Sequence, residues 1–264
     1  MINTISAEIQ RAEIENDRQF VTALARGLGI LSVFENSNIA LTHQMICERT
    51  KLPKATVSRL IYTLLCTEFL AQDPDGGYRL GMAAIRISAT AWAQYDLIRH
   101  AQPLMAAFAA EHHVSVNIAK EEGGEMLYLA CCRSPARLAV QLMVGSKVPV
   151  AQTAIGRAYY AVADDFQRAH LCRHLPPLPE METAQQLEML AGYEAFYREH
   201  GYTLSAGEFS PDILAVAVGV YNRAEQRYTH ALNASVPASR WQEADFVREI
   251  VPGLQKLAQE ISAA

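Results

Sequence analysis

A chain of 264 residues, half of them hydrophobic, carries enough apolar material for one large domain or two ordinary ones. No window approaches the roughly 18 uninterrupted apolar residues of a membrane span. The opening MINTISAEIQRAEIENDRQ lacks the basic and apolar regions of a secretion signal, so a cytoplasmic protein that does not engage the membrane is expected. The net charge of −5 argues against a uniformly basic nucleic-acid binder, yet the charge is uneven: residues 18–80 hold seven Lys/Arg against five acids, while 1–17 and 81–264 are both net negative. Five cysteines without a CxxC pair read as free thiols of a reducing compartment.

Taken in chain order, residues 1–17 space Ile5, Ile9 and Ile14 among charges and form an N-terminal arm, helical or disordered. From 18 to 36 the period is helical, with Leu24, Leu28, Leu31 and Phe34 along one side. Thr42 is placed to cap a short helix bearing Met45, Ile46 and Cys47 inward. After the turn Thr50-Lys51-Leu52, Pro53 opens a second helix in which Val57, Leu60, Ile61, Leu64 and Leu65 recur at helical spacing. Lys51 stands where such turns usually carry Gly, because the residue adopts positive φ.

The other face of the second helix carries Lys54, Ala55, Thr56, Ser58, Arg59 and Tyr62, short polar and basic groups suited to phosphates and base edges in a major groove. A strand, the turn DPDGG and a second strand YRL follow, which makes the unit a winged helix-turn-helix over 18–80, with Arg79 as the wing contact. The bland alternative is a helix pair and hairpin that merely pack. The cationic excess is small, so one copy would hold DNA weakly and a dimer or larger homo-oligomer is expected.

Residues 81–102 read as one long linker helix ending at Pro103, and 103–113 as another helix. The period then changes to strand over 114–119, a polar turn at EEGGE, and strands over 126–133 and 138–144. GSKVPV is read as a loop, 153–162 as a helix, and 164–174 and 183–200 as helices separated by LPPLP. Strands around 213–221 and 228–235 and an amphipathic helix over 241–261 close the chain. The order predicts an α+β sensory domain over 103–264, an antiparallel sheet flanked by helices.

Sharper chemistries find little support. His170, Cys172 and His174 form H-x-C-x-H, but only the two histidines share a helix face and no third ligand is evident. Cys131 and Cys132 point to opposite faces of a strand. There is no nucleophile elbow, P-loop, dinucleotide fingerprint or metal box, so neither an enzyme nor a cofactor is expected.

Several segments together resemble the isocitrate-lyase-regulator (IclR) family of bacterial transcription factors: TALARGLGILSVF, LPKATVSRLIYTL, DGGYRLG, GSKVPVAQTAIGRAYYA, REHGYTLS, ILAVAVGVYN and ALNASVPASR. The resemblance implies a winged helix, a linker helix and a GAF-like effector domain. It also implies dimers or tetramers on near-palindromic operators beside catabolic operons, and control by small organic acids or aromatic metabolites, with repression and activation both compatible. By position it implies an oxyanion-binding turn at Ala154 and Ile155, apolar walls at Val140 and Val148, and further effector contacts at Ser205, Ala215, Asn233 and Ser235. Ser205 replaces a common Asp and Ala215 a common Cys, which implies a less polar site and an acid with a larger apolar or aromatic body. Arg137 reads as a solvated residue. The alternative function is a small-molecule sensor or interaction protein that never touches DNA; retention on the chain's own upstream DNA at low salt separates the two.

Overall fold

The structure is a computed structural model that describes residues 18–35, 37, 39–133, 142–179 and 181–263. The chain forms two compact units, one up to Gln94 and one from Tyr95.

In the first unit, helices α1 (Thr22–Ser32), α2 (His43–Thr50) and α3 (Lys54–Cys66) precede strands β1 (Leu70–Gln72) and β2 (Tyr78–Leu80) and helix α4 (Met82–Ala93). Its core is Ile30, Phe34, Leu41, Ile46, Val57, Ile61 and Leu70. Thr42 caps α2 by accepting from the Met45 N–H at 3.3 Å. Lys51 ends α2 in the left-handed region at φ 56°, as its place in the turn predicts. Strands β1 and β2 pair antiparallel, and Tyr78 exchanges backbone hydrogen bonds with Leu41, which fastens the wing beside the start of α2. Gly77 is required there: at φ 93° a Cβ would stand 2.9 Å from the Leu41 carbonyl oxygen. One expectation changes. Leu24 and Leu28 are exposed, and α1 buries Ile30 instead, because a three-helix core this small reaches only the last turn of α1.

The second unit holds α5 (Asp96–His112), β3 (Ser115–Glu122), β4 (Glu125–Cys132), β5 (Lys147–Pro149), α6 (Ala154–Val162), α7 (Asp165–His174), α8 (Thr183–His200), β6 (Thr203–Ala206), β7 (Ile213–Asn222), β8 (Arg227–Pro237) and α9 (Glu243–Ser262). The strands make one antiparallel sheet in the order β5-β4-β3-β8-β7-β6. Successive side chains of a strand point to opposite faces, so the sheet is buried twice. One face, with Val116, Ile118, Val216, Val218, Leu232 and Ala234, packs under α5 and α9. The other carries Ala119, Met126, Tyr128, Val148, Ala215, Ala217 and Ala231, in one core with Ala154, Ile155, Ala158 and Tyr159 of α6.

The stretch 81–102 is not a single helix. The break falls at Gln94–Tyr95, and α5 runs straight through Pro103. Ile98, Ala101, Met105, Phe108 and Ala109 form a buried face on both sides of that proline. Burying it outweighs the one backbone hydrogen bond and the local clash that an interior proline costs. Strands β5 and β6 were expected as loop and unassigned chain; at three and four residues on the two sheet edges they are too short to show a period. The expected strand over 138–144 falls mostly outside the described residues, and 142–144 are not strand.

Candidate functional site

Helix α3 presents Lys54, Ala55, Ser58, Arg59 and Tyr62 to solvent, with Thr56 half-buried. Tyr62 is 69% exposed. Ala55, Thr56, Ser58, Arg59 and Tyr62 border a groove of about 620 Å³ against Ala23 and Arg26 of α1. The first two turns of the helix therefore offer a continuous polar strip without an apolar cover. Ser58 Oγ donates to the Lys54 carbonyl at 3.0 Å and lies 2.9 Å from His43 Nε2, so a histidine of α2 that the sequence did not single out holds Ser58 on the exposed face of α3. Arg79, on the wing, is not a free cation: its Nε pairs with the buried carboxylate of Asp73, whose Oδ1 accepts the Asp75 N–H at 3.0 Å. The guanidinium stays largely in solvent.

In the second unit the register brings the expected effector residues side by side. Ser205, Ala215, Ser235 and Ser115 form one row across β6, β7, β8 and β3. Thr203, Ala217, Asn233, Asn117 and Cys131 form the next. A third holds Gly219, Ala231, Ala119 and Tyr128. The helix α6 begins above this face. Thr153 caps it, accepting from the Gly156 N–H at 3.2 Å and donating to the Pro149 carbonyl at 2.7 Å. Thr203 Oγ1 donates to the Ala154 carbonyl at 2.7 Å, which fixes the first turn against β6. The leading N–H groups of a helix have no intrahelical acceptor, so Ala154 and Ile155 bring amide donors and the positive end of the dipole to the site. Gly156 permits the approach: a Cβ there would lie 2.3 Å from Val150 Cα and 2.4 Å from its carbonyl oxygen. Val148 sits on β5 beside Met126; Val140 lies outside the described residues.

Ser205 is engaged by its own unit. Its Oγ lies 3.2 Å from the Gln152 carbonyl and 3.1 Å from Glu208 Oε2. The carboxylate expected to be missing at 205 thus returns three residues later, at Glu208. It brings no net negative charge, because Arg157 answers it. Arg157 is wholly buried. Its Nε donates to the Ala151 carbonyl at 2.8 Å, and its Nη1 lies 2.8 Å from Tyr193 Oη, 2.6 Å from the Leu204 carbonyl and 3.0 Å from Glu208 Oε1. The guanidinium also stacks 4.0 Å over the Tyr193 ring. Burial would raise the Glu208 carboxyl, but backbone hydrogen bonds at Glu208 and Ala206 and the Arg157 charge hold it below the ordinary carboxylate value. The sequence offered only a lone Arg in the mostly apolar run AIGRAYYA, with nothing to name its partner.

Among the described residues no group of His, Cys, Asp or Glu is arranged to hold a metal ion, and no helix is long and apolar enough to cross a membrane.

A winged helix-turn-helix followed by a six-stranded sensory sheet defines a transcriptional regulator. The chain belongs to the IclR family: the IclR helix-turn-helix domain matches residues 23–74, and the bacterial transcriptional regulator IclR C-terminal domain matches residues 89–263. It is 28% identical to the Pca regulon regulatory protein of Pseudomonas putida, over 93% of this chain and 84% of that protein. An IclR family transcriptional regulator from Brucella abortus superposes with a TM-score of 0.77 at 30% identity, covering 96% of this chain and 95% of that one. An IclR homologue from Microbacterium hydrocarbonoxydans, crystallised with 4-hydroxybenzoate, shares the fold with a TM-score of 0.77 at 24% identity, covering 91% and 98%. Family and relatives are regulators, not enzymes.

Proposed function

We propose that this regulator controls a catabolic operon, and that a small organic acid with an apolar or aromatic body, bound in the C-terminal unit, sets its DNA affinity. The observation that carries the reading is the start of α6, docked over a sheet face of alanines and uncharged hydroxyl and amide groups. The Ala154 and Ile155 amides take the carboxylate, Val148 and Ala215 border the body, and Asn233 and Ser235 are hydrogen-bond partners. Ser205, held by Gln152 and Glu208, shapes that edge. The 4-hydroxybenzoate held by the Microbacterium hydrocarbonoxydans homologue supports an aromatic acid. On DNA, Lys54, Thr56, Ser58, Arg59 and Tyr62 of two subunits read half-sites of a near-palindrome, and Ala55 lets the helix approach. Pairing in dimers or tetramers makes up for the small cationic excess of one copy. The effector acts by favouring one arrangement of the DNA-binding units, since only differential affinity shifts a population.

Calorimetry of the full chain against aliphatic and aromatic acids, with operator retention followed at rising salt, tests this. Selective binding of an aromatic acid that changes retention supports the reading. Selective binding of a two- or three-carbon keto acid, or no retention on its own upstream DNA at low salt, refutes it.

A further inference from the structure

The same sheet face carries a second polar group, one row away from Ser235. Tyr128 is 2% exposed, Asn233 5% and Asn117 7%. Asn117 Nδ2 donates to Asn233 Oδ1 at 2.9 Å, and the Tyr128 hydroxyl lies close to the Asn233 amide. That bond uses only part of what the three side chains offer. Each carboxamide has an acceptor oxygen with two lone pairs and two N–H donors, and the phenol adds a donor. The Asn117 carbonyl oxygen and the Tyr128 O–H therefore have capacity to spare. Of the residues beside them in the rows, Ala217, Ala231 and Ala119 have no polar side-chain atom to give, and Cys131, next to Asn117, has only a thiol, a weak donor. Thr203, in the Asn233 row, already donates its hydroxyl to Ala154. Buried polar groups are normally paired, and leaving one unpaired costs free energy.

A hydroxyl is the group that completes the set, because it accepts from the Tyr128 O–H and donates to the Asn117 oxygen at once. Its distance from the acid end also follows. Asn233 and Ser235 are two residues apart on one strand, about 6.8 Å, the reach of a six-membered ring bearing a substituent at either side. The alanine side chains between the rows leave a flat floor for such a ring.

We propose that Tyr128 and Asn117, acting with Asn233, are specificity-determining residues that select organic acids carrying a hydroxyl on the body remote from the carboxylate. This rests on the effector site proposed above. The experiment is calorimetric titration of the full chain with benzoate and with its 3- and 4-hydroxy derivatives, for the parent and for Tyr128→Phe, whose fold is checked by circular dichroism. The parent should bind one hydroxylated acid at least about tenfold more tightly than benzoate, the factor expected of one hydrogen bond to a buried polar pair. Tyr128→Phe should bring that ratio close to one while leaving benzoate affinity where it was. Equal binding of benzoate and both hydroxy acids by the parent overturns the inference but leaves the acid site standing. A ratio unchanged in Tyr128→Phe overturns it too. If no acid binds, the site reading itself fails and takes this inference with it.

Discussion

Replacing Glu208 by Gln isolates the ion pair that Arg157 of α6 makes with the chain after β6. The two carboxylate oxygens have different partners. Oε1 accepts from Arg157 at 3.0 Å; Oε2 accepts the Ala206 N–H at 2.5 Å and faces the Ser205 hydroxyl at 3.1 Å. A carboxamide has the same outline but only one oxygen. Turned toward Arg157, it sets its NH2 against the Ala206 N–H; turned toward Ala206, it sets the NH2 against the guanidinium. Either way one charge-assisted bond, about 1.5–3 kcal/mol, is lost. Arg157, with no exposed surface, also loses its counter-charge. Breaking a fully buried pair costs about 3–5 kcal/mol, but the Glu208 side chain is 38% exposed and solvent screens it, so the smaller figure governs. Glu208→Gln should therefore destabilise the C-terminal unit by about 2 kcal/mol near pH 7, or about 4–8 °C in its melting temperature.

The difference should depend on pH. The folded carboxyl titrates below its ordinary value, so its contribution is complete above the unfolded pKa, about 4.3. It fades as pH falls through the lower folded value. Scanning calorimetry of parent and variant at pH 7 and near pH 3 checks both parts. Equal melting temperatures at pH 7, or a gap as wide at pH 3 as at pH 7, would refute the reasoning.

Three further outcomes are expected. Arg59→Ala should weaken operator binding and flatten its salt dependence by about one unit of slope if the contact is to phosphate, with acid binding intact; a variant that binds DNA like the parent displaces Arg59 from the interface. Gly156→Ala should destabilise the C-terminal unit by about 1–3 kcal/mol in urea titrations and abolish acid binding, because the new Cβ pushes Val150 and the start of α6 apart. His230 is held neutral, chiefly by burial and secondly by Lys120, with its pKa pushed down to about 4 and only Glu225 opposing. Since the unfolded imidazole binds its proton near 6.5, the C-terminal unit should lose on the order of 3 kcal/mol as pH drops from 6.5 to 4. His230→Gln should remove that part of the slope in pH-dependent unfolding.

The helix-turn-helix was legible because its signals are local: the Thr42 cap, the helical recurrence of Val57 and Ile61, the diglycine turn and even the strained Lys51 lie within a few residues of what they determine. The rows of the sheet face proposed to hold the effector were half legible. The family resemblance pointed to Asn233 and Ser235 on one strand, but the register that sets Asn117 and Tyr128 beside them is tertiary. Pro103 misled because local propensity lost to a buried face built from both sides of it. Arg157 and Glu208 lie 51 residues apart in sequence, and nothing near either one announces the other. On α1, Leu24 and Leu28 follow the helical period yet stay in solvent, since period identifies a stripe without saying what covers it.

The wing arginine has a consequence for how the first unit meets a duplex. Because Asp73 already holds Arg79 through Nε, this side chain brings no unbalanced charge to the approach and expels few counterions from the phosphates. What it keeps is aim: the carboxylate braces the guanidinium plane, and its outer nitrogens are presented in one orientation. On the reading proposed above, the wing therefore brings an oriented guanidinium, rather than a free charge, to a duplex.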